Sequence, residues 1–236
     1  MKKTDFNSLI LFENDDLIVI NKPPYMPTLE DRHEAQNILQ LAKQYVADAQ
    51  VCHRLDKETS GCLVIAKNPD AYRHMAMQFE DRSVEKIYHA VVDGIHDFKQ
   101  TIADRNLYAN NKGIVKVSID GKPALTYFDT LKTYTRHTLV SCNPITGRMH
   151  QIRVHLSFLG APICGDVLYG GKPAYLSQLK RKFNLKKGTE EEPLMQRVAL
   201  HAQAITFRLM DESKITIEAP YPKDFAVLVK QLERFS

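Results

Sequence analysis

VCHRLDKETSGCLVIAK, residues 51–67, sets a crowd of polar side chains between apolar flanks. From His53 to Gly61 the chain offers a histidine, an arginine, an aspartate, a glutamate, a threonine, a serine and a glycine, and LVIAK then has the β-branched, apolar character of a buried strand. The stretch therefore reads as strand, polar loop, strand. Two readings of that loop compete: a charged turn, or an active-site loop in which one carboxylate does covalent work.

The flanks decide what surrounds it. Upstream, LILFENDDLIVI (9–20) reads as a short strand, an acidic turn and a buried strand, and NKPPY forces an extended turn because Pro23 and Pro24 fix φ and lack donors. Ile38, Leu39, Ala42, Tyr45 and Val46 recur at helical spacing, which predicts a helix over 34–48. Downstream, Asn68-Pro69 is a helix start, with Tyr72, Met75, Ala76 and Phe79 as its apolar face. EKIYHAVVDG (85–94) is a strand ending at a glycine, 101–128 has the alternation of hairpins, and 125–142 reads as two strands around Thr135-Arg136-His137. In RMHQIRVHLSFLG, Met149, Ile152, Leu156 and Leu159 follow helical spacing up to a capping Gly160. Residues 172–197 lose apolar regularity and run from basic to acidic, a charged insertion. Strands return in ALHAQAITFRL and KITIEAP, and Phe225, Leu228, Val229 and Leu232 mark a terminal helix. Strands outnumber helices without βαβ alternation, so the expectation is a single α+β domain over 9–236, built on a mainly antiparallel mixed sheet with flanking helices.

Composition narrows the class. The chain has 236 residues, 44% hydrophobic and 25% charged, enough to bury a core without staples. Four scattered cysteines with no CxxC pair and no signal-like opening point to a reducing cytoplasm, and no apolar run approaches the roughly 20 residues that span a bilayer, so no membrane role is expected. A net charge of +4 is compatible with a polyanionic partner without demanding one.

Several chemistries fail on spacing. Cys52-His53 has no second ligand pair nearby, and His150 and His155 are five apart rather than the four that align on a helix, so no metal site is expected. Asp56 and Glu58 sit two apart on one loop, poor geometry for a glycosidase whose carboxyls flank a bond from different elements. Ser60 lacks the G-x-S-x-G elbow, and no GxxxxGK[ST] is present, so no nucleotide cofactor is expected. What remains is one aspartate among cations, which as a nucleophile needs a positive partner to stay ionised.

HRLDKETSG at 53–61 resembles the HRLDxxTSG signature of the RluA-type pseudouridine synthases. INKPPYMPT (20–28) resembles that family's NKP motif, KIYHAVVDG (86–94) its K-x-Y-x-A-x-V-x-G strand, and GKPALTYF (121–128) its G-K-x-A-x-T-x-Y hairpin. ITGRMHQIRVHLSFLGAPICGDVLYG (145–170) is similar to its TGRxHQ block, and LHA (200–202) completes the series. The resemblance implies an isomerase that flips a uridine out of structured RNA, ribosomal or transfer, and converts it to pseudouridine without cofactor or metal. It implies that Asp56 is the catalytic aspartate, acting on sugar or base, with Arg153 pairing with it and lowering its pKa. Tyr88 stacks on the uracil and assists the late proton removal, and Arg54 enters the RNA stack as the base leaves. His53 and Thr59 shape the loop. Arg148, His150 and Gln151 are candidates for RNA backbone contacts or for supporting the residues that make them, and Lys180, Arg181, Lys182, Lys186 and Lys187 in the insertion for further RNA contacts. A monomer without an N-terminal S4-like domain is expected, its substrate choice resting on the catalytic domain. The alternatives are an RNA-binding module without turnover, and a nucleoside or glycoside hydrolase using Asp56 and Glu58.

Overall fold

A computed structural model describes residues 5–31, 36–185 and 188–236. In chain order the elements are β1 (Ile10–Glu13), β2 (Leu17–Lys22), α1 (Ile38–Tyr45), β3 (Gln50–Val51), β4 (Ser60–Ala66), α2 (Pro69–Glu80), β5 (Glu85–Asp93), β6 (Thr101–Asp104), β7 (Leu107–Ala109), β8 (Val115–Val117), β9 (Leu125–Thr133), β10 (His137–Pro144), α3 (Gln151–Phe158), α4 (Leu176–Leu179), β11 (Leu200–Arg208), β12 (Lys214–Glu218) and α5 (Lys223–Arg234). The fold is α+β, with a mostly antiparallel mixed sheet and few flanking helices. Among the described residues no helix is long and apolar enough to cross a membrane.

The chain divides into two compact units, Met1–Ile87 with His201–Pro220, and Tyr88–Leu200 with Tyr221–Ser236. Two of the boundaries of these units fall at or within strands. One falls inside β5 and another at the first residue of β11, so no linker composition marks either.

In the first unit every residue of β4 is buried, which explains why LVIA runs on without polar alternation. β2 and β3 pair with it antiparallel, β1 continues on β2, and β11 joins β4 in parallel before turning back into β12. The core behind them gathers Leu17, Val19, Val64, Met75, Ile205 and Phe207. α1 is shorter than predicted because a capping box sets its start: Asn37 Oδ1 accepts from Gln40 N–H at 2.9 Å and Gln40 Oε1 from Asn37 N–H at 3.2 Å. Residues 34 and 35 of the predicted helix lie outside the described residues. α2 starts as predicted, with Asn68 Oδ1 accepting from Ala71 N–H. Its inward face differs: Ala71, Met75 and Gln78 are buried, whereas Tyr72 and Ala76 face outward. Gln78 turns in because its amide meets both backbone groups of Arg208, donating to the carbonyl at 2.9 Å and accepting from N–H at 2.8 Å.

In the second unit β10 lies between β5 and β9, and β6 pairs with β9, all antiparallel. β7 and β8 form a separate hairpin, seated through Leu107 and Val115 on Val154 of α3. α3 and α5 cover the sheet with Ile152, Leu156, Phe225, Leu228 and Leu232. Gly160 takes φ +75°, as its predicted capping role requires, while Met149 precedes α3 and is exposed.

Candidate active site

The loop from Cys52 to Thr59 is held from three directions. From the NKPPY turn, Lys22 is fully buried and its ammonium donates to the carbonyls of Pro23 (2.9 Å), Met26 (2.8 Å) and Lys57 (3.2 Å), tying that turn to the polar loop. From the same region Thr28 Oγ1 donates to the Leu55 carbonyl at 2.9 Å and accepts from Leu55 N–H at 3.2 Å. From within, His53 Nε2 accepts from Val64 N–H at 3.1 Å and its ring lies 5.0 Å from Phe79. Burial pushes that imidazole down to about 3, with the Lys86 charge adding to the effect, so it is a neutral brace. Thr59 N–H closes a turn on the Asp56 carbonyl at 3.0 Å. Leu55 is thereby fixed inward, leaving Arg54 exposed and Asp56 half-buried on either side of it.

The base of the loop is set by close backbone approach. Ser60 and Gly61 pair in parallel with His201 and Ala202, and a Cβ on Gly61, whose φ is +114°, would sit 2.2 Å from the Ala202 carbonyl oxygen. Only glycine fits. Ser60 Oγ meets His201 Nδ1 at 2.9 Å, and the other ring nitrogen meets the Ala219 carbonyl at 3.0 Å. The TSG and LHA blocks, far apart in sequence, are thus two halves of one junction.

In the second unit Tyr88 is half-buried in β5, opposite Cys142 of β10 and against the core. Arg153, on α3, is held by Asp166 in a bidentate pair, Nε to Oδ2 and one terminal nitrogen to Oδ1, both 2.7 Å. Asp166 is 1% exposed, and the guanidinium stands 4.9 Å from the centre of the Tyr169 ring. Tyr169 in turn bonds His150 Nδ1 at 2.7 Å through its hydroxyl, which also accepts from Val115 N–H at 3.1 Å. The arginine is therefore fixed in direction by a carboxylate and an aromatic face.

In the turn before α3 one of the two roles open to Gln151 is favoured, support rather than direct RNA contact, because the residue is 4% exposed. Its Oε1 accepts from Thr146 Oγ1 (2.7 Å) and Arg148 N–H (3.0 Å), and its Nε2 donates to the Leu125 carbonyl (3.0 Å) and Thr126 Oγ1 (2.9 Å). All its polar capacity goes into bracing the turn. Arg148 is exposed at the tip, its Nε on the Pro123 carbonyl, and half-buried His150 adopts a left-handed φ of 53°. His155 is buried between Thr126 Oγ1 and the Arg105 carbonyl.

Within 172–197, Lys180, Arg181 and Lys182 are exposed, and Lys186 and Lys187 lie outside the described residues. The ends of the segment are not solvated: Ala174 and Met195 join the core, Leu194 N–H bonds the Ala174 carbonyl at 2.8 Å, and buried Arg197 pairs with Asp224 at 2.7 Å. One group of ligand-type atoms exists among the described residues, Asp93, His137 and Cys164, within 4.8 Å of one another. Asp93 already accepts from Lys172 N–H at 2.8 Å, and burial pushes the Cys164 thiol up to about 12. A metal there would have to displace the thiol proton.

The residues with structural leverage that the sequence reading gave no role are Lys22, Thr28, Asp166, Tyr169 and His201. All five lie inside recognised blocks, NKP with its trailing threonine, GDVLYG and LHA, but a block does not say which of its members carries which bond.

A profile of the family described as RNA pseudouridylate synthase matches residues 16–158. Ribosomal large subunit pseudouridine synthase C of Buchnera aphidicola is 36% identical over 96% of this chain and 71% of its own length. The enzyme of the same name from Vibrio cholerae is 33% identical over 93% and 67%, and ribosomal large subunit pseudouridine synthase D of Zymomonas mobilis 33% over 94% and 72%. Among solved structures, human RNA pseudouridylate synthase domain containing 4 superposes with a TM-score of 0.71 at 26% identity, covering 96% of this chain and 95% of that one.

Proposed function

The chain belongs to the RNA pseudouridylate synthase family, in its RluA-type branch, and is an RNA pseudouridine synthase; on that premise we propose that it acts on a structured ribosomal RNA inside the cell, with Asp56 as the catalytic carboxylate. The observation that carries the residue assignment is the loop itself: buried Lys22 and Thr28 and half-buried His53 spend their bonds on its backbone and its base, so that Arg54 and Asp56 project from a fixed frame. Likeness along nearly the whole chain to enzymes named for the ribosomal large subunit favours ribosomal over transfer RNA.

The reaction breaks the N1–C1′ bond of uridine, forms C5–C1′, removes the proton from C5 and leaves one on N1. It is an isomerisation and balances without a co-reactant. In our reading Arg54 takes the place of the departing base in the stack, which offsets the few kcal/mol that flipping costs. Asp56 adds to sugar or base, Tyr88 lies on the uracil and assists the C5 proton's departure, and Arg153, aimed by Asp166 and Tyr169, stabilises the negative charge. Arg148, His150 and the exposed Lys180, Arg181 and Lys182 provide backbone contacts.

The test is pseudouridine mapping on total RNA from cells with and without the protein, repeated with Asp56→Asn. We expect one or a few ribosomal sites to vanish in both the deletion and the variant, with folding and RNA binding of the variant retained. Turnover by Asp56→Asn would remove the carboxylate assignment, and a lost site in transfer RNA would replace the substrate.

A further inference from the structure

Lys86 is half-buried in β5, two residues ahead of Tyr88, and lies close enough to His53 for its charge to help keep that ring neutral. Among the described residues its ammonium has no ion pair or hydrogen bond, and burial alone holds its pKa below the usual lysine value. Other cations of the chain find a counter-charge: half-buried Lys67 meets Glu13 at 2.8 Å, and even the exposed Lys132 and Lys214 meet Glu233 and Glu85 at 2.9 and 2.7 Å. Arg153 and Arg197, more deeply placed, each hold an aspartate. Lys86 pays part of the desolvation penalty and receives nothing from the protein in return. Its position is also particular: the ring it influences is the first residue of the segment that presents Arg54 and Asp56.

We propose that Lys86 is a phosphate-binding residue, its ammonium reserved for a backbone phosphate of the RNA strand that enters over the His53–Asp56 loop. This rests on the RNA-modifying reading above and adds a named electrostatic contact to it. A phosphodiester is the fitting ligand because it brings a full negative charge to a cation that lacks one, whereas a uracil carbonyl brings only a dipole. An ammonium suits it: three donors on a flexible stem accept the range of phosphate positions that a flipping nucleotide passes through.

The test compares wild type, Lys86→Met and Lys86→Arg in binding an unmodified in vitro transcript of large-subunit ribosomal RNA across a salt series, alongside thermal unfolding of the free proteins. Lys86→Met is expected to unfold at a higher temperature than wild type, since a partly desolvated charge is gone. It is also expected to bind RNA several-fold more weakly, with a slope of log affinity against log salt shallower by about 0.7 to 0.9, the value of one phosphate contact. Lys86→Arg should restore the slope. Unchanged affinity and slope in Lys86→Met overturn the proposal, as does a fall in turnover with binding and slope intact, which would make Lys86 a stabiliser of charge on the base. Pseudouridine formation by wild type is read in the same samples, so loss of the broader reading is seen separately from loss of this contact.

Discussion

At the scale of single residues, the division of labour is between side chains buried as braces and side chains that reach the surface of the loops those braces hold. Gln151 and Asp56 show the contrast. Both sit in motifs of the same family and both are polar, yet Gln151 is spent on four bonds that build a turn, while Asp56 projects half-buried from a loop that other residues hold. Motif membership alone cannot tell these apart, because a sequence block holds buried braces and surface-reaching groups alike. Asp166 belongs with the braces, and its loss should be informative. Asp166→Asn keeps the shape but removes the charge opposite a guanidinium whose side chain is 11% exposed. Breaking a buried pair in this way costs about 3 kcal/mol. The expected outcome is a lower urea midpoint together with a drop in kcat larger than any change in RNA affinity, since Arg153 loses its aim. A variant with wild-type turnover would show that the arginine keeps its aim without the Asp166 charge.

At the scale of elements, the sequence was most legible where local chemistry decides. Asn68-Pro69 fixed the start of α2, Gly160 marked the end of α3, and the acidic turn between β1 and β2 stood where predicted. It was least legible where a distant strand decides. The buried faces of α2 and α3 include Gln78, Gln151 and His155, polar residues drawn inward by backbone groups of β9, β11 and the Arg105 carbonyl, which helical periodicity of apolar residues cannot register. The β4–β11 junction is the strongest case, and Gly61→Ala tests it. Strain at φ +114° and contact with the Ala202 carbonyl together should lower stability by about 3 kcal/mol or more, read by chemical denaturation. A loss under about 1 kcal/mol would mean the junction yields, and that the glycine is not required by close approach. The 172–197 segment is the opposite kind of element, its ends anchored in the core and Lys180, Arg181 and Lys182 outward. Replacing Lys180, Arg181 and Lys182 by glutamine should leave the unfolding midpoint unchanged and weaken RNA binding with a shallower salt slope. An unaltered slope would confine these cations to solvation.

At the scale of the whole molecule, both units bury histidines in neutral form, and this gives the free protein a direction in pH. His53 in the first unit is held at about 3 and His89 in the second at about 4, chiefly by burial, while His137 and His155 are also lowered. Unfolding returns each ring to water and to its ordinary value near 6.5. Between the folded and unfolded values the unfolded chain binds the extra proton, so stability is full above about pH 6.5 and is lost as pH falls toward 4 and 3. Asp93 acts with the opposite sign, since burial raises its carboxyl and the folded state then holds its proton more readily. One raised carboxylate does not offset four lowered histidines. Each pH unit of separation is about 1.4 kcal/mol per group, so His53 alone should account for about 2 to 3 kcal/mol by pH 4.5. Urea midpoints measured from pH 7.5 to 4.5 should fall steadily for the wild type. In His53→Gln, where an amide oxygen takes over the Val64 N–H without titrating, the same series should start lower and decline less steeply. Parallel curves for the two proteins would show that His53 is not held neutral in the fold, and with it the idea that a desolvated brace supports the Arg54–Asp56 loop would fail.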